Sequence, residues 1–97
     1  TGGYGVVVSD EEIVKAMKLL AGLEGIFAEP SGAAGLAGLV KAVEEKLIDR
    51  DEVVVVLVTG HGLKDIDTAM KITGEPPVIS PSEEELVNAI KTHYGGI

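Results

Sequence analysis

Apolar residues at helical spacing dominate the first part of the chain. Ser9 is followed three residues later by Glu12, the pattern in which a hydroxyl and a carboxylate cap a helix reciprocally. The pattern predicts a helix that begins after Ser9 and ends at Gly22 or Gly25, because glycine often follows the last turn of a helix. The buried stripe of this helix is predicted to comprise Ile13, Ala16, Met17 and Leu20.

A second helix is predicted from about residue 32 to residue 47. Its first half is apolar on every side, which is typical of a helix buried against more than one neighbour. Gly35 and Gly38 lie inside it, and each costs roughly 1 kcal/mol relative to alanine. Close approach of a neighbouring backbone or of a ligand would compensate for that cost. The predicted stripe comprises Ala33, Leu36, Ala37, Val40 and Val43.

Two shorter helices complete the helical prediction. One spans about residues 63–72 and is broken by Gly74. The other is predicted to follow a cap made by Ser80 and Glu83, with Pro81 at its first position. Its buried face is predicted to comprise Leu86, Val87, Ile90 and Tyr94.

Short β-branched or apolar runs between the helices predict strands at residues 4–8, 26–28, 53–58 and 77–79. The run at residues 53–58 is apolar without alternation, which is typical of a central parallel strand covered on both faces. Strands that alternate with helices predict an α/β fold, here a three-layer αβα arrangement with a mostly parallel sheet. We expect the 97 residues to form a single α/β domain.

Composition excludes several classes of function. The net charge of −8 disfavours nucleic acid and anionic membranes as partners, because both attract basic surfaces. The chain has no cysteine, so it can form neither a disulfide nor a thiolate metal site, and a cytoplasmic location is expected. No apolar run approaches the roughly 20 residues of a membrane span. Because the first residue is Thr1 rather than Met, we expect a processed or truncated chain.

Two segments carry the candidate chemistry, because ligands of parallel sheets bind where strands end. Thr59 follows the run at residues 53–58, and Gly60 and Gly62 would let backbone come close to a ligand. The alternative is a strand-end threonine with a glycine turn. Glu29 and Ser31 follow the run at residues 26–28, where Ser31 could either cap the next helix or help to bind a ligand.

Other kinds of site lack support in the sequence. His61 and His93 are the only histidines, and neither has an acidic residue at a metal-ligand spacing, so no metal site is expected. No serine lies in a Gly-x-Ser-x-Gly pattern, so a hydrolase triad is not indicated.

Three stretches together resemble threonine synthase, a pyridoxal-phosphate (PLP) enzyme of fold type II. They are VSDEEI at residues 8–13, EGIFAEPSGAA at residues 24–34 and VLVTGHGLKD at residues 56–65. The second stretch is shared with threonine dehydratases, which usually carry a Ser-Gly-Gly ending where this chain has Thr-Gly-His-Gly. The third stretch therefore favours the C-terminal part of a threonine synthase, and the resemblance covers about residues 2–72.

The resemblance implies a fold and a site. Family members bury PLP between two α/β domains, and this chain would be part of the large one. Thr59 would place its hydroxyl on the pyridine nitrogen, Glu29 and Ser31 would lie near the ring, and Gly60 and Gly62 would let backbone pass the cofactor. The family reaction converts O-phosphohomoserine, a small-molecule substrate, and water into threonine and phosphate.

Parts of the family site have no counterpart in this sequence. The Schiff-base lysine of the family lies in a Ser-Phe-Lys-Asp type of segment, and Lys64 belongs to a different stretch. The glycine-rich phosphate loop and the asparagine that faces the ring hydroxyl are also absent. The resemblance therefore implies an N-terminal remainder as partner, no catalytic residue in this chain, and neither PLP binding nor turnover by the chain alone.

Alternatives to the enzyme fragment stay open at this point. The chain could be a free-standing binding or interaction domain descended from the family, a threonine dehydratase-like fragment, or an unrelated small α/β domain. Because a piece of a larger sheet leaves an edge or an apolar face uncovered, we expect a homodimer or a larger form.

Overall fold

The computed structural model describes residues 1–95, which form four α-helices and one short 3₁₀ turn. The helices are α1 (Asp10–Glu24), α2 (Pro30–Glu44), α3 (Ile66–Thr73) and α4 (Glu83–Tyr94), and the 3₁₀ turn is Gly62–Lys64. Among these residues no helix combines the length and the apolar character that crossing a membrane requires.

Helix α1 begins and ends as the sequence predicts. The Ser9 hydroxyl accepts a hydrogen bond from the backbone N–H of Glu12 at 3.2 Å, and the Glu12 carboxylate accepts one from the N–H of Ser9 at 2.6 Å. Gly25 follows the last turn with φ of 66°, a left-handed conformation that glycine adopts without steric cost. The predicted capping box and the glycine stop are both confirmed.

The caps predict how the helices respond to acid. The Ser9 N–H holds the pKa of Glu12 below its ordinary 4.5, and hydrogen bonds from Thr68, the side chain first, hold the pKa of Asp65 below 3.8. A carboxylate whose pKa is lowered in the folded state stabilises the fold when the pH is above the ordinary pKa. This stabilisation is lost as the pH falls through the lowered pKa. We expect helical circular dichroism to fall below about pH 4.5, and Glu12→Gln to weaken that dependence.

Helix α2 begins two residues earlier than predicted. Pro30 occupies its first position, where the missing N–H of proline costs nothing, and Glu29 precedes it as the N-cap residue without a side-chain cap. Ser31 therefore lies in the first turn and does not cap the helix. The helix ends at Glu44, short of the predicted residue 47.

The buried core lies between α1 and α2. It is small because most of its members are alanines, which allow two helices to approach closely but bury little area each. Lys41 adds a polar link, since its Nζ donates to the Val7 carbonyl at 2.7 Å and lies 3.6 Å from the Glu12 carboxylate. The core residues are Ala16, Met17 and Leu20 of α1, Ala33 and Ala37 of α2, and Ala28 between them.

The predicted α/β fold is wrong. Residues 1–95 contain no strand and no sheet, and their β-pairing is limited to one isolated antiparallel bridge between Ala28 and His61. In the run at residues 53–58, Val53 is 98% exposed and Val55 is 83% exposed. β-Branched residues favour strands because their side chains fit a pleated surface. A strand forms only where a neighbouring segment supplies hydrogen-bond partners.

The later helices also differ from the prediction. Asp65 caps α3 by accepting from the Thr68 N–H at 3.1 Å, so a separate 3₁₀ turn replaces the predicted helical start at residue 63. Ser82, rather than Ser80, is the N-cap residue of α4, and Pro81 precedes the helix. No residue of α4 is buried: on the predicted apolar face, Leu86 and Tyr94 are exposed, and Val87 and Ile90 are half-buried.

Candidate functional site

The two segments singled out by sequence are joined by their backbones. Across the Ala28–His61 bridge, the Glu29 N–H donates to the Gly60 carbonyl at 3.0 Å, and the Gly62 N–H donates to the Phe27 carbonyl at 2.8 Å. Ala28 is only 1% exposed. We call residues 27–32 together with residues 59–62 the loop junction. It fixes the start of α2 against the Thr-Gly-His-Gly segment.

Close contact between Gly32 and Gly60 brings α2 against that segment. A Cβ atom added at Gly32 would lie 2.8 Å from the carbonyl oxygen of Gly60 and 2.9 Å from its nitrogen. Both atoms belong to the backbone, so they could not move aside without shifting the segment. The helix therefore needs glycine at this position.

Side chains of the chain itself cover Gly60 and Gly62. A Cβ atom at Gly60 would overlap the carboxyl group of Glu29, and one at Gly62 would overlap the ring of Phe27. The Phe27 ring also contacts His61 edge to face, with 5.4 Å between ring centroids and 75° between planes. These two glycines thus admit neighbouring side chains, which is a reason for glycine that does not involve a ligand.

An ion pair between Glu29 and Lys64 lies at the edge of the loop junction. The Nζ of Lys64 lies 3.4 Å from the carboxylate of Glu29, whose side chain is 17% exposed, whereas that of Lys64 is 65% exposed. The 3₁₀ turn that carries Lys64 is capped by His61, whose Nδ1 accepts from the Leu63 N–H at 3.1 Å. His61 therefore has a structural role here.

Thr59 lies at an open surface beside the loop junction. It is exposed and lines a shallow depression of about 450 Å³ together with residues 25–27, Val58, Gly60 and His61. The structure thus brings Thr59, Glu29, Gly60 and Gly62 into one region, and Ser31 is exposed nearby in the first turn of α2. Sequence reasoning missed Phe27 and missed the pairing of Lys64, although Lys64 stands only four residues after Gly60.

Within residues 1–95, no group of three or more histidine, cysteine, aspartate or glutamate side chains is arranged to hold a metal ion. The donor set of the loop junction is one hydroxyl, one paired carboxylate and backbone groups. Such a set suits an organic ligand that is oriented by hydrogen bonds.

Comparison with known proteins decides the family. The family model described as "Pyridoxal-phosphate dependent enzyme" matches residues 1–60, which include α1, α2 and the chain up to Gly60 of the loop junction. The chain belongs to the pyridoxal-phosphate dependent enzyme family.

Relatives within this family are named threonine synthase. The chain is 58% identical over 76 residues to the threonine synthase of Methanocaldococcus jannaschii, which is 78% of this chain and 19% of the relative. It is 47% identical to that of Methanosarcina acetivorans over 93% of this chain and 22% of the relative. With that of a Bacillus species it shares 45% identity over 94% of this chain and 25% of the relative. The predicted resemblance to threonine synthase is confirmed.

These matches set the scale of the chain within its family. It spans about a fifth to a quarter of the length of these curated relatives. The matches to 93% and 94% of the chain also reach beyond residues 2–72, where the sequence resemblance was placed.

The loop junction fits one side of the family cofactor. Thr59 offers an exposed hydroxyl, which can donate a hydrogen bond to, or accept one from, a ring nitrogen. Gly60 has backbone groups at the same depression. The lysine nearest to this region along the chain, Lys64, is paired with Glu29. The residues present therefore suit a wall of a PLP site rather than a complete one.

Proposed function

We propose that this chain supplies the pyridine-nitrogen wall of the PLP site in a threonine synthase-like enzyme. The reaction of that enzyme would be the conversion of O-phosphohomoserine and water into threonine and phosphate. One observation carries the proposal: the Ala28–His61 bridge joins the segment of half-buried Glu29 to that of exposed Thr59 in a chain that matches threonine synthases. A cytoplasmic location stays a prediction.

The roles of the site residues follow from their chemistry. When bound, PLP draws electrons away from the reacting carbon atoms of the substrate. The Thr59 hydroxyl would hydrogen-bond to the ring nitrogen, and because it is neutral it would not force that nitrogen to be protonated. Glu29 and Ser31 would lie near the ring. Gly60 and Gly62 would keep the backbone close to the ring, and the side chains of Glu29 and Phe27 lie against these two glycines.

The chain alone would neither bind PLP firmly nor turn over substrate. Its lysines do not lie in a segment like the Ser-Phe-Lys-Asp of the family, and Lys64 is engaged with Glu29. The depression beside Thr59 is shallow and open, so it would bury little of a ligand. A lysine-linked PLP absorbance band from the chain alone would contradict this proposal.

The remainder of the enzyme would cover the apolar surface that this chain leaves open. A groove of about 470 Å³ lies between α2 and residues 54–57, and Gly38 faces open space there. Because the relatives are about four times as long as the chain, the partner proposed for this groove is their remaining portion. Without that partner, the chain is expected to associate with a second copy.

Complementation tests the proposed function. The chain is mixed with the Methanocaldococcus jannaschii threonine synthase from which the matched stretch has been removed, and we call this mixture the complemented enzyme. We expect phosphate release from O-phosphohomoserine by the complemented enzyme and none from either part alone. Sedimentation is expected to show an oligomer of the chain alone and a mixed complex after mixing. A chain that stays monomeric at high concentration and restores no activity would contradict the proposal.

A further inference from the structure

Lys64 has a contact that the family resemblance does not explain. Its ammonium group lies 3.4 Å from the Glu29 carboxylate, and that carboxylate covers Gly60, the residue next to Thr59. The two residues are 35 positions apart in the sequence, so the pair links Glu29 of the loop junction to the 3₁₀ turn that begins at Gly62. The backbone hydrogen bonds of Glu29 and Gly62 join the two segments of the loop junction themselves.

We propose that Lys64 is a positioning residue, which holds the Glu29 carboxylate on Gly60, the neighbour of Thr59 in the sequence, and balances the negative charge of that carboxylate. This inference rests on the proposed function in one respect: the balanced charge matters only if the Thr59 hydroxyl faces the ring nitrogen of PLP. The contact itself does not depend on the cofactor.

The charge balance has a chemical consequence. A carboxylate without a counterion near the pyridine nitrogen would favour the protonated ring, against the effect of the neutral Thr59 hydroxyl. The other titratable groups near this pair are engaged elsewhere. His61 caps the 3₁₀ turn through Nδ1, and Asp65 accepts a hydrogen bond from the Thr68 N–H. Lys64 is therefore the cation in contact with Glu29 within the described residues.

The exposure of the Lys64 side chain distinguishes a positioning role from a role in the stability of the fold. Because Lys64 is 65% exposed, its ion pair is screened by water and adds little to the stability of the fold. Removing the ammonium group should thus change the position of the Glu29 carboxylate more than it changes the stability of the chain.

The first test uses the 97-residue chain without cofactor. We expect Lys64→Met to shift the ¹³C resonance of the Glu29 carboxyl group and to speed amide exchange of Glu29 and Gly62 about three-fold. Lys64→Arg is expected to restore both, because it keeps a cation in reach. Lys91→Met, on the exposed surface of α4, removes the same charge elsewhere and is expected to change neither. Unchanged Glu29 signals in Lys64→Met would overturn the contact.

The second test uses the complemented enzyme loaded with PLP. We expect Lys64→Met to raise, by about half a pH unit, the midpoint pH of the change in cofactor absorbance. Lys64→Arg is expected to restore the original midpoint. If the unaltered complemented enzyme showed no cofactor band, the proposed function would fail, while the first test would still judge the Lys64–Glu29 contact. If the band were normal and Lys64→Met titrated like the unaltered chain, the charge-balancing role alone would be overturned.

Discussion

Replacing Gly32 with alanine is expected to destabilise the chain by about 2 kcal/mol, the usual range for forcing a methyl group into a packed contact. Two effects oppose each other at this position. Alanine is the better helix former by roughly 1 kcal/mol in a helix interior, and less in the first turn, where Gly32 lies. Its Cβ, however, would lie 2.8 Å from the Gly60 carbonyl oxygen, so the loop junction would have to open. The steric effect should win.

Gly38 provides the matched control within the same helix. A Cβ atom added there meets nothing within 4 Å, so Gly38→Ala is expected to stabilise the chain by up to about 1 kcal/mol. Urea unfolding followed by circular dichroism measures both variants. If Gly32→Ala were as stabilising as Gly38→Ala, the contact between α2 and Gly60 would not exist in solution. Amide exchange at Glu29 should also quicken in Gly32→Ala and not in Gly38→Ala.

Local sequence determined α1 almost completely. Ser9, Glu12 and Gly25 act through hydrogen bonds and φ angles within a few residues, so their pattern could be interpreted without any tertiary information. The predicted start of α2 lies two residues late because a serine such as Ser31 often caps a helix, whereas the fixed φ of Pro30 already suits the first helical turn.

The sheet could not be predicted from the run at residues 53–58 alone. A continuous apolar run fits a two-sided buried strand, yet the same pattern also fits a segment whose side chains stay exposed for lack of a neighbour. Hydrogen-bond partners for a strand come from segments distant in sequence, so the run by itself does not contain them. For the same reason the amphipathic pattern of α4 predicted a buried face that this chain covers only in part.

The contacts among the candidate site residues could be predicted only in part, for a similar physical reason. Thr59 and Glu29 were identified because they follow apolar runs in stretches shared with a known family. The sequence did not reveal that Phe27 covers Gly62 or that Lys64 pairs with Glu29, since both contacts cross more than 30 positions along the chain. The glycines indicated that some group approaches the backbone closely, but they did not indicate whether this group is a ligand or a side chain.

Thr59→Val in the complemented enzyme is expected to lower kcat/KM for O-phosphohomoserine about ten-fold or more. Valine keeps the shape of threonine and removes the hydroxyl, so the ring nitrogen would lose a hydrogen bond in a site closed to water, and about 1.4 kcal/mol corresponds to a factor of ten in rate. The stability of the chain should hardly change, because Thr59 is exposed and surface substitutions usually have small effects.

Two control variants distinguish the effect of losing the Thr59 hydroxyl from other effects of a substitution. Thr59→Ser keeps a hydroxyl and should retain more activity than Thr59→Val, with a smaller change in the cofactor absorbance. Thr92→Val removes a hydroxyl from the exposed surface of α4 and should leave phosphate release unchanged. Wild-type kcat/KM in Thr59→Val would mean that the hydroxyl does not act on the cofactor. The alignment of two short segments by the Ala28–His61 bridge would then serve the fold of this chain and not its chemistry.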